Sequence, residues 1–556
     1  MSLSLQQRTW WRLLEAPIGR RRLLAGGAAG GAAGLALAAI GCDDSVTTDT
    51  QQATPGGTLR FGTTLPPSFG LDPHVETAGW LPIIARLYGY PLHADPRSDD
   101  ILLDHLESYE QPDPVTYVLR LRTDARFHAS APALGRAVHA EDLVVSLRRF
   151  RDNPLSVNKY WHRRILAAEG APDLRTVIVT TRSPYVYSLA EIGGINAGAI
   201  IPREAIEQSM NLTSAGAGSG PLELDAAEPK SVALRRFAAY HGEPTRVHGM
   251  RWHLFNNTSD MAAALRARAI DVAPVATAAD ADAIARDEKG LIVVPEPSFA
   301  TVALALRIDR PPFDDERVRR AIDLALDPAS VVEASGLSDD DAGPTGPVNV
   351  HLADGFWSLD EEEMATSRGT EDDPRAEARA LVDAAGASGQ RFSLQVAGVE
   401  NLPAVAEAVR SQLTAIDLRA EIEVKPLLAW YVDSRRGNFD ASIVALPPYE
   451  HPDGALRWCH PDGPEGDGNP LGLSEPELER VIERAREEPD RDGRRELVLQ
   501  AQRLALRTHA LLPLMATTGH TLTWDYVQES GLDLPGSLAR YHARQWLDLP
   551  VEGRPD

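Results

Sequence analysis

Between Phe392 and Val424 the hydrophobic period changes twice. Phe392, Leu394 and Val396 alternate with their neighbours; Val405, Val409, Leu413 and Ile416 follow at helical spacing; Ala420, Ile422 and Val424 alternate again. A half-buried strand hides every second side chain, whereas a helix hides every third or fourth. Strand, helix and strand in so short a span predict a crossover unit that lays both strands parallel in one sheet. A parallel sheet needs cover on both faces, so this segment places at least the second half of the chain in the α/β class.

The same reading extends outward. Tyr117, Leu119 and Leu121 alternate as a half-buried strand, and Ala140 opens a helix with Leu143, Val144, Leu147 and Phe150 on one face. Val318, Ala321, Ile322 and Ala325 repeat that spacing, as do Leu478, Val481, Ile482 and Ala485. Ser474 with Glu477 predicts a capping box at the start of the last of these helices. Phe127 and Phe313 are expected in the core. Arg317, Arg319 and Arg320 are expected on a solvated helix face, and Asp142 beside a helix dipole. Acidic, Gly- and Pro-bearing stretches at 338–347 and 361–374 read as surface loops. A chain of 556 residues exceeds one ordinary core, so two or three domains are expected.

The N-terminus carries a processing signal. Arg20, Arg21 and Arg22 precede an uncharged Gly- and Ala-rich stretch, 23–40, which ends at Ala39-Ile40-Gly41-Cys42. Charge, apolar run and small residues in that order are a secretory signal peptide. The arginines followed by Leu23 and Leu24 also resemble a twin-arginine signal. Leu37-Ala38-Ala39-Ile40-Gly41-Cys42 resembles a bacterial lipobox, which implies that residues 1–42 hold a leader cleaved before a diacylated Cys42. Residues 43–54 then read as a flexible tether. With Cys42 lipidated, the second of two cysteines, Cys459, has no disulfide partner. The formal charge of −24 argues against a nucleic-acid partner, because phosphate repels an acidic surface.

No G-x-S-x-G elbow, H-E-x-x-H, Walker loop or paired C-x-x-C is present. In Gly216-Ala217-Gly218-Ser219-Gly220-Pro221, proline stands where a dinucleotide fingerprint needs its last glycine. The segment reads instead as a tight turn beside a ligand or between lobes. The 15 histidines show no ligand spacing, and although His451 and His460 flank Cys459, no metal is expected there. No catalytic residue and no cofactor are expected.

Landmarks along nearly the whole chain carry a family resemblance. They are Pro55-Gly56-Gly57-Thr58-Leu59-Arg60; Leu71-Asp72-Pro73; and Leu103-Asp104-His105-Leu106-Glu107-Ser108-Tyr109. Tyr117 to Arg122 is followed by Phe127-His128 and by Ala140-Glu141-Asp142-Leu143. Then come Gly218 to Leu222, Ala269-Ile270-Asp271-Val272, and Pro312 to Ala321. Gly437-Asn438-Phe439-Asp440 and Leu511-Leu512-Pro513-Leu514 close the series. In this order they resemble the extracytoplasmic solute-binding proteins of family 5, the oligopeptide, dipeptide and nickel class serving ABC-type importers.

That resemblance implies a two-lobed periplasmic-binding-protein fold of class II, with mixed sheets flanked by helices and a hinge. Lobe 1 would be 55–299 with an extra subdomain at about 90–212, lobe 2 would be 300–510, and 511–556 would return to lobe 1. It implies no enzyme but a monomer, exported and lipid-anchored. That places it on the periplasmic side of the inner membrane in a Gram-negative cell and on the surface otherwise. Its partners would be a small-molecule or peptide ligand and the importer's permease subunits. An importer-independent receptor, sensor or chaperone-like lipoprotein binding a non-peptide solute is the alternative, and a degraded hydrolase a third reading.

Cleft walls in this family are loops at strand ends. The candidates here are Tyr449, Glu450, His451, Asp453 and Trp458, with Trp430, Tyr431, Gly218 and Gly220. Peptide-binding members place an aspartate in this loop against the peptide's α-ammonium. Aligning His451-Pro452-Asp453 with the family's D-P-D puts Pro448 at that position, and proline offers no carboxylate. Glu450 or Asp453 could substitute only with a shifted backbone. The departure points to an altered anchor or a different solute.

Overall fold

The computed structural model describes residues 56–528, apart from 68–69, 77–79, 96, 157–158, 367–372, 400, 447–448, 450 and 467, together with Trp546–Leu547. The leader, Cys42, the tether, Pro448 and Glu450 lie outside the described residues.

The crossover unit is present. Strand Arg391–Ala397, helix Leu402–Thr414 and strand Arg419–Lys425 follow in order, and the strands pair in parallel with Phe392 opposite Ala420 and Val396 opposite Val424. Pro403 sits in the helix's first turn, where its missing N–H costs nothing. Val405, Val409 and Leu413 face the core.

Among the described residues these strands belong to an 11-stranded mixed sheet. From one edge the order is Arg419–Lys425, Arg391–Ala397, Ala441–Leu446, Leu291–Leu306, Leu511–Trp524, Val272–Val275, Thr58–Thr63, Gly249–Leu254, Ser231–Arg236 and Leu222–Glu228. Ala342–Gly343 pairs beside Leu511–Trp524. Two strands are exceptionally long, Leu291–Leu306 with 16 residues and Leu511–Trp524 with 14.

The two long strands are antiparallel, and each reaches from one hydrophobic core to another. At its Trp524 end Leu511–Trp524 runs between Leu291–Leu306 and Val272–Val275, and Leu522 and Trp524 pack with Leu59, Met250 and Leu265. At its Leu306 end Leu291–Leu306 runs between Leu511–Trp524 and Ala441–Leu446, and Leu304, Leu306, Leu512 and Leu514 pack with Val318, Ile322, Leu394 and Val409. The register shifts between Pro297 and Thr301 and again between Val302 and Ala303. Bulges interrupt the ladder and sharpen the local twist. The two-lobed fold thus rests on a crossing where hydrogen bonding is locally broken.

A separate four-stranded antiparallel sheet orders Leu106–Asp113, Thr116–Leu121, Thr176–Thr181 and Ile165–Gly170. Helix Ala140–Asp152 covers it, so Leu143, Val144 and Leu147 meet Tyr117, Leu119, Val177 and Val179. Asp142 does more than face a helix dipole: its carboxylate takes both Arg136 guanidinium nitrogens at 2.8 and 2.7 Å and the backbone N–H of His139 and Arg203.

Three local expectations change. No side-chain capping bond forms at Ser474 because the later helix starts at Pro476 with Glu475 as its cap, and Ser474 donates instead to Glu479 at 3.0 Å. The stretch 338–347 is a surface loop only in part: 338–340 are exposed, but Ala342 pairs with Thr517, and buried Asp341 accepts from Ser338 and contacts His520 at 3.0 Å. Arg319 leaves the solvated face to donate to the Thr508 carbonyl at 3.0 Å. Phe127 and Phe313 are buried, as expected. No helix among the described residues is long and apolar enough to cross a membrane.

Candidate functional site

Strand Ala441–Leu446 ends where the candidate loop begins, and the chain re-enters regular structure as one helical turn, Asp453–Leu456, followed by a 3-10 turn, Arg457–Cys459. The Tyr449 hydroxyl accepts from Arg435 and from the Trp458 indole, both at 3.3 Å. The Arg435 guanidinium lies over the rings of Tyr431 at 4.9 Å and Trp458 at 5.0 Å. Gly454 permits this packing, since a Cβ there would stand 2.2 Å from Tyr449 Cγ.

Asp453 is at the centre of a second cluster. Its Oδ2 accepts from Arg457 Nε at 2.8 Å and from the Tyr185 hydroxyl at 2.7 Å, and its Oδ1 accepts from Arg486 Nε at 2.7 Å. Arg457 also donates to the Tyr185 hydroxyl at 2.7 Å and pairs with Glu191. His451 Nε2 contacts Glu191 at 3.2 Å, and its ring stacks on Tyr187 at 4.4 Å with 12° between planes. Tyr160 lies under both guanidiniums, at 4.3 Å from Arg457 and 4.9 Å from Arg486.

The partners come from opposite sides. Tyr160 lies in helix Tyr160–Arg164, which leads into strand Ile165–Gly170 of the small sheet, and Tyr185, Tyr187 and Glu191 follow that sheet, while His451, Asp453, Arg457 and Arg486 belong to the segment after Ala441–Leu446. The Val186 N–H completes the join by donating to the Arg486 carbonyl at 2.8 Å. Two buried cations face two buried anions, so charge balances where water is excluded. Burial alone would raise the Asp453 carboxyl, but Arg486 and Arg457 hold it far below the carboxylate range. Burial likewise pushes Glu191 up, and Arg457 and His451 more than offset it, leaving it at about 2.

The remaining candidates fall elsewhere. The Trp430 indole donates to the Ile443 carbonyl at 3.0 Å within the core. Gly218 and Gly220 let their segment lie against the end of helix Leu81–Leu87: a Cβ on Gly218 would stand 1.9 Å from the Leu87 carbonyl oxygen, and one on Gly220 2.4 Å from that of Arg86. Cys459 is buried, and burial pushes its thiol up to about 12. His460 approaches Asp462 and Glu483, but Arg486 already supplies the cation there, 3.0 Å from Glu483. The sequence reading missed Tyr185, Tyr187, Glu191, Arg457 and Arg486; of these, only the aromatic pair Tyr185 and Tyr187 left a visible signal.

A two-lobed fold whose long strands cross between cores, with polar and aromatic groups converging between the small sheet and the segment after Ala441–Leu446, is the architecture of a solute-binding protein. The chain belongs to the bacterial extracellular solute-binding proteins, family 5, whose model matches residues 103–463. These are binding proteins of the extracytoplasmic space, not enzymes. A glutathione-binding protein of Pectobacterium atrosepticum is 21% identical over 280 residues, covering 49% of this chain and 53% of its own. The chain thus spans about half the length of the curated relatives it matches. Among solved structures, the periplasmic binding protein DppA of Helicobacter pylori, in complex with the peptide STSA, superposes with a TM-score of 0.75 at 18% identity, covering 89% of this chain and 98% of its own. The AgaA protein of A. tumefaciens R10, in complex with agropinic acid, does so with a TM-score of 0.74 at 18% identity, covering 89% and 99%.

Proposed function

We propose that this chain is the exported receptor of an ABC-type importer. It captures a peptide or peptide-like solute between its lobes and delivers it to the permease as a monomer held to the membrane through lipidated Cys42. The lobes divide at 55–299 with 511–556, against 300–510, and the crossing of Leu291–Leu306 with Leu511–Trp524 is the hinge. The carrying observation is the join between Tyr185, Glu191, Asp453 and Arg457, which belongs to a closed form. A ligand that contacts both sides shifts the population toward that form by its differential affinity. The family and the named ligands of its relatives support a small solute, with glutathione and a tetrapeptide among them.

The cleft wall on the lobe 2 side is the loop holding Tyr449, Glu450, His451 and Trp458, and Glu450 is the proposed anchor for a ligand ammonium. Mass spectrometry of solute co-purified with the exported chain tests the reading, followed by small-angle scattering with that solute. Compaction on binding is expected; an unchanged profile at saturation would overturn closure. Membrane fractionation of wild type against Cys42→Ser tests the anchor, and identical mature mass and partitioning would remove it.

A further inference from the structure

A cluster of metal-ligating groups lies away from this join. Asp104 and His105 sit between strands Ile101–Leu103 and Leu106–Asp113, and His241 follows strand Ser231–Arg236 of the large sheet. His241 Nε2 stands 3.1 Å from Asp104 Oδ1, and His105 Nδ1 stands 3.5 Å from the same oxygen. His93 Nε2 stands 3.8 Å from Asp104 Oδ2. The four side chains are between 0 and 4% accessible, so water does not screen them from one another.

We propose that Asp104, His105 and His241 form a binding site for a divalent transition-metal ion of the zinc class. Bonds of about 2.0–2.1 Å in tetrahedral geometry set ligand atoms about 3.3 Å apart, which the distances from Asp104 to His241 and His105 bracket. Imidazole with a single carboxylate suits zinc, cobalt or nickel and not the hard cations, which take oxygen ligands. Outer contacts orient the carboxylate: the Tyr240 hydroxyl donates to Asp104 Oδ1 at 2.9 Å, and the Tyr90 N–H reaches Oδ2 at 3.4 Å.

Ser219 borders the cluster on the far side of the His105 ring, away from the Nδ1 that faces Asp104. Its Oγ is buried and makes no hydrogen bond. A Cβ on Gly89 would lie 2.3 Å from His105 Nε2 and 2.5 Å from Ser219 Oγ, so both flank one point at the cluster's edge. The cluster His460, Asp462 and Glu483 has similar composition, yet Arg486 stands 3.0 Å from Glu483 and 3.9 Å from Asp462 and takes the cation's place. The metal would tie the small sheet's first strands to the large sheet.

The test uses the untagged chain, stripped with EDTA and titrated with Zn²⁺ by calorimetry and with Co²⁺ by visible absorption. One equivalent of Zn²⁺ and the strong visible bands of four-coordinate cobalt are expected. His241→Asn should weaken uptake at least about 10-fold, while His460→Asn leaves it unchanged. Wild-type protein that takes up no ion, or uptake indifferent to His241→Asn, would overturn the site and leave a hydrogen-bonded core cluster only. Should His241→Asn fail to fold, the wild-type cobalt spectrum decides alone: its absence overturns the site.

Discussion

The Tyr185 hydroxyl donates to Asp453 Oδ2 at 2.7 Å, joining two groups 268 residues apart in the chain. The same oxygen accepts from Arg457 at 2.7 Å. One phenol therefore holds an anion and a cation of the opposite side in register. Tyr185→Phe keeps the ring and removes both bonds. A hydrogen bond to a charged group is worth about 1.5–3 kcal/mol. With the bond made only on closure, solute affinity should fall about 10- to 100-fold, as read by calorimetry. Unchanged affinity would mean that closure does not depend on this contact.

Asp453→Asn removes the charge that balances Arg457 and Arg486, which are both 1% accessible. Breaking a buried pair from one side costs about 3–5 kcal/mol, because the partner stays buried and uncompensated. Urea unfolding should show that loss. The triple replacement of Asp453, Arg457 and Arg486 by apolar residues should recover part of it, because no lone charge remains.

Acid should loosen the chain in two steps. His74 and His128 are buried, burial being the main cause that lowers each from 6.5 to about 4. The unfolded chain then binds more protons than the folded one between pH 6.5 and 4, so stability is full above 6.5 and falls through that window. Glu191, lowered from 4.5 to about 2, contributes stability that is present above 4.5 and lost as pH falls toward 2. Urea midpoints measured from pH 7 to 3 should decline throughout. Glu191→Gln should flatten the lower part alone.

Glycine requirements differ by place. At Gly218 an added methyl would meet the Leu87 backbone at 1.9 Å, whereas at Gly343 nothing lies within 4 Å. Gly218→Ala should therefore lower the melting temperature by several degrees, and Gly343→Ala should stay within about 0.5 kcal/mol of wild type. Equal effects would mean that the Gly218 turn can shift away from helix Leu81–Leu87.

These positions also show what a sequence can disclose. The unit from Phe392 to Val424 was legible because burial imprints its period on each element, and the parallel register followed from the helix between the strands. The Ser474 cap was misread because Pro476, with its fixed backbone angle, starts the helix one residue beyond the pattern. Residues 338–347 looked like a loop because Asp339, Asp340 and Asp341 are charged; the contact of Asp341 with His520 is invisible from composition. Arg457 and Arg486 stand in no motif that marks them as interior. Only a fold that brings Tyr185 and Glu191 to them makes them an interior cluster.

The ligand anchor is the sharpest remaining question. A desolvated α-ammonium needs a charged partner with spare acceptor capacity. Asp453 has little to give, since two guanidiniums and a phenol already occupy its two oxygens. Drawing it to a ligand would leave Arg457 and Arg486 short of their anion. Glu450, outside the described residues, is the neighbouring carboxylate in the sequence. Calorimetry against a peptide library, with Glu450→Gln beside wild type, separates the possibilities. Peptide affinity that falls at least about 10-fold on Glu450→Gln, and falls equally on acetylating the peptide's N-terminus, is expected of a charged anchor lost from either side. Tight binding untouched by Glu450→Gln but abolished by acetylation would assign the anchor to another carboxylate. An absence of peptide binding altogether would set aside the peptide reading and turn the search to solutes such as the agropinic acid carried by one structural neighbour.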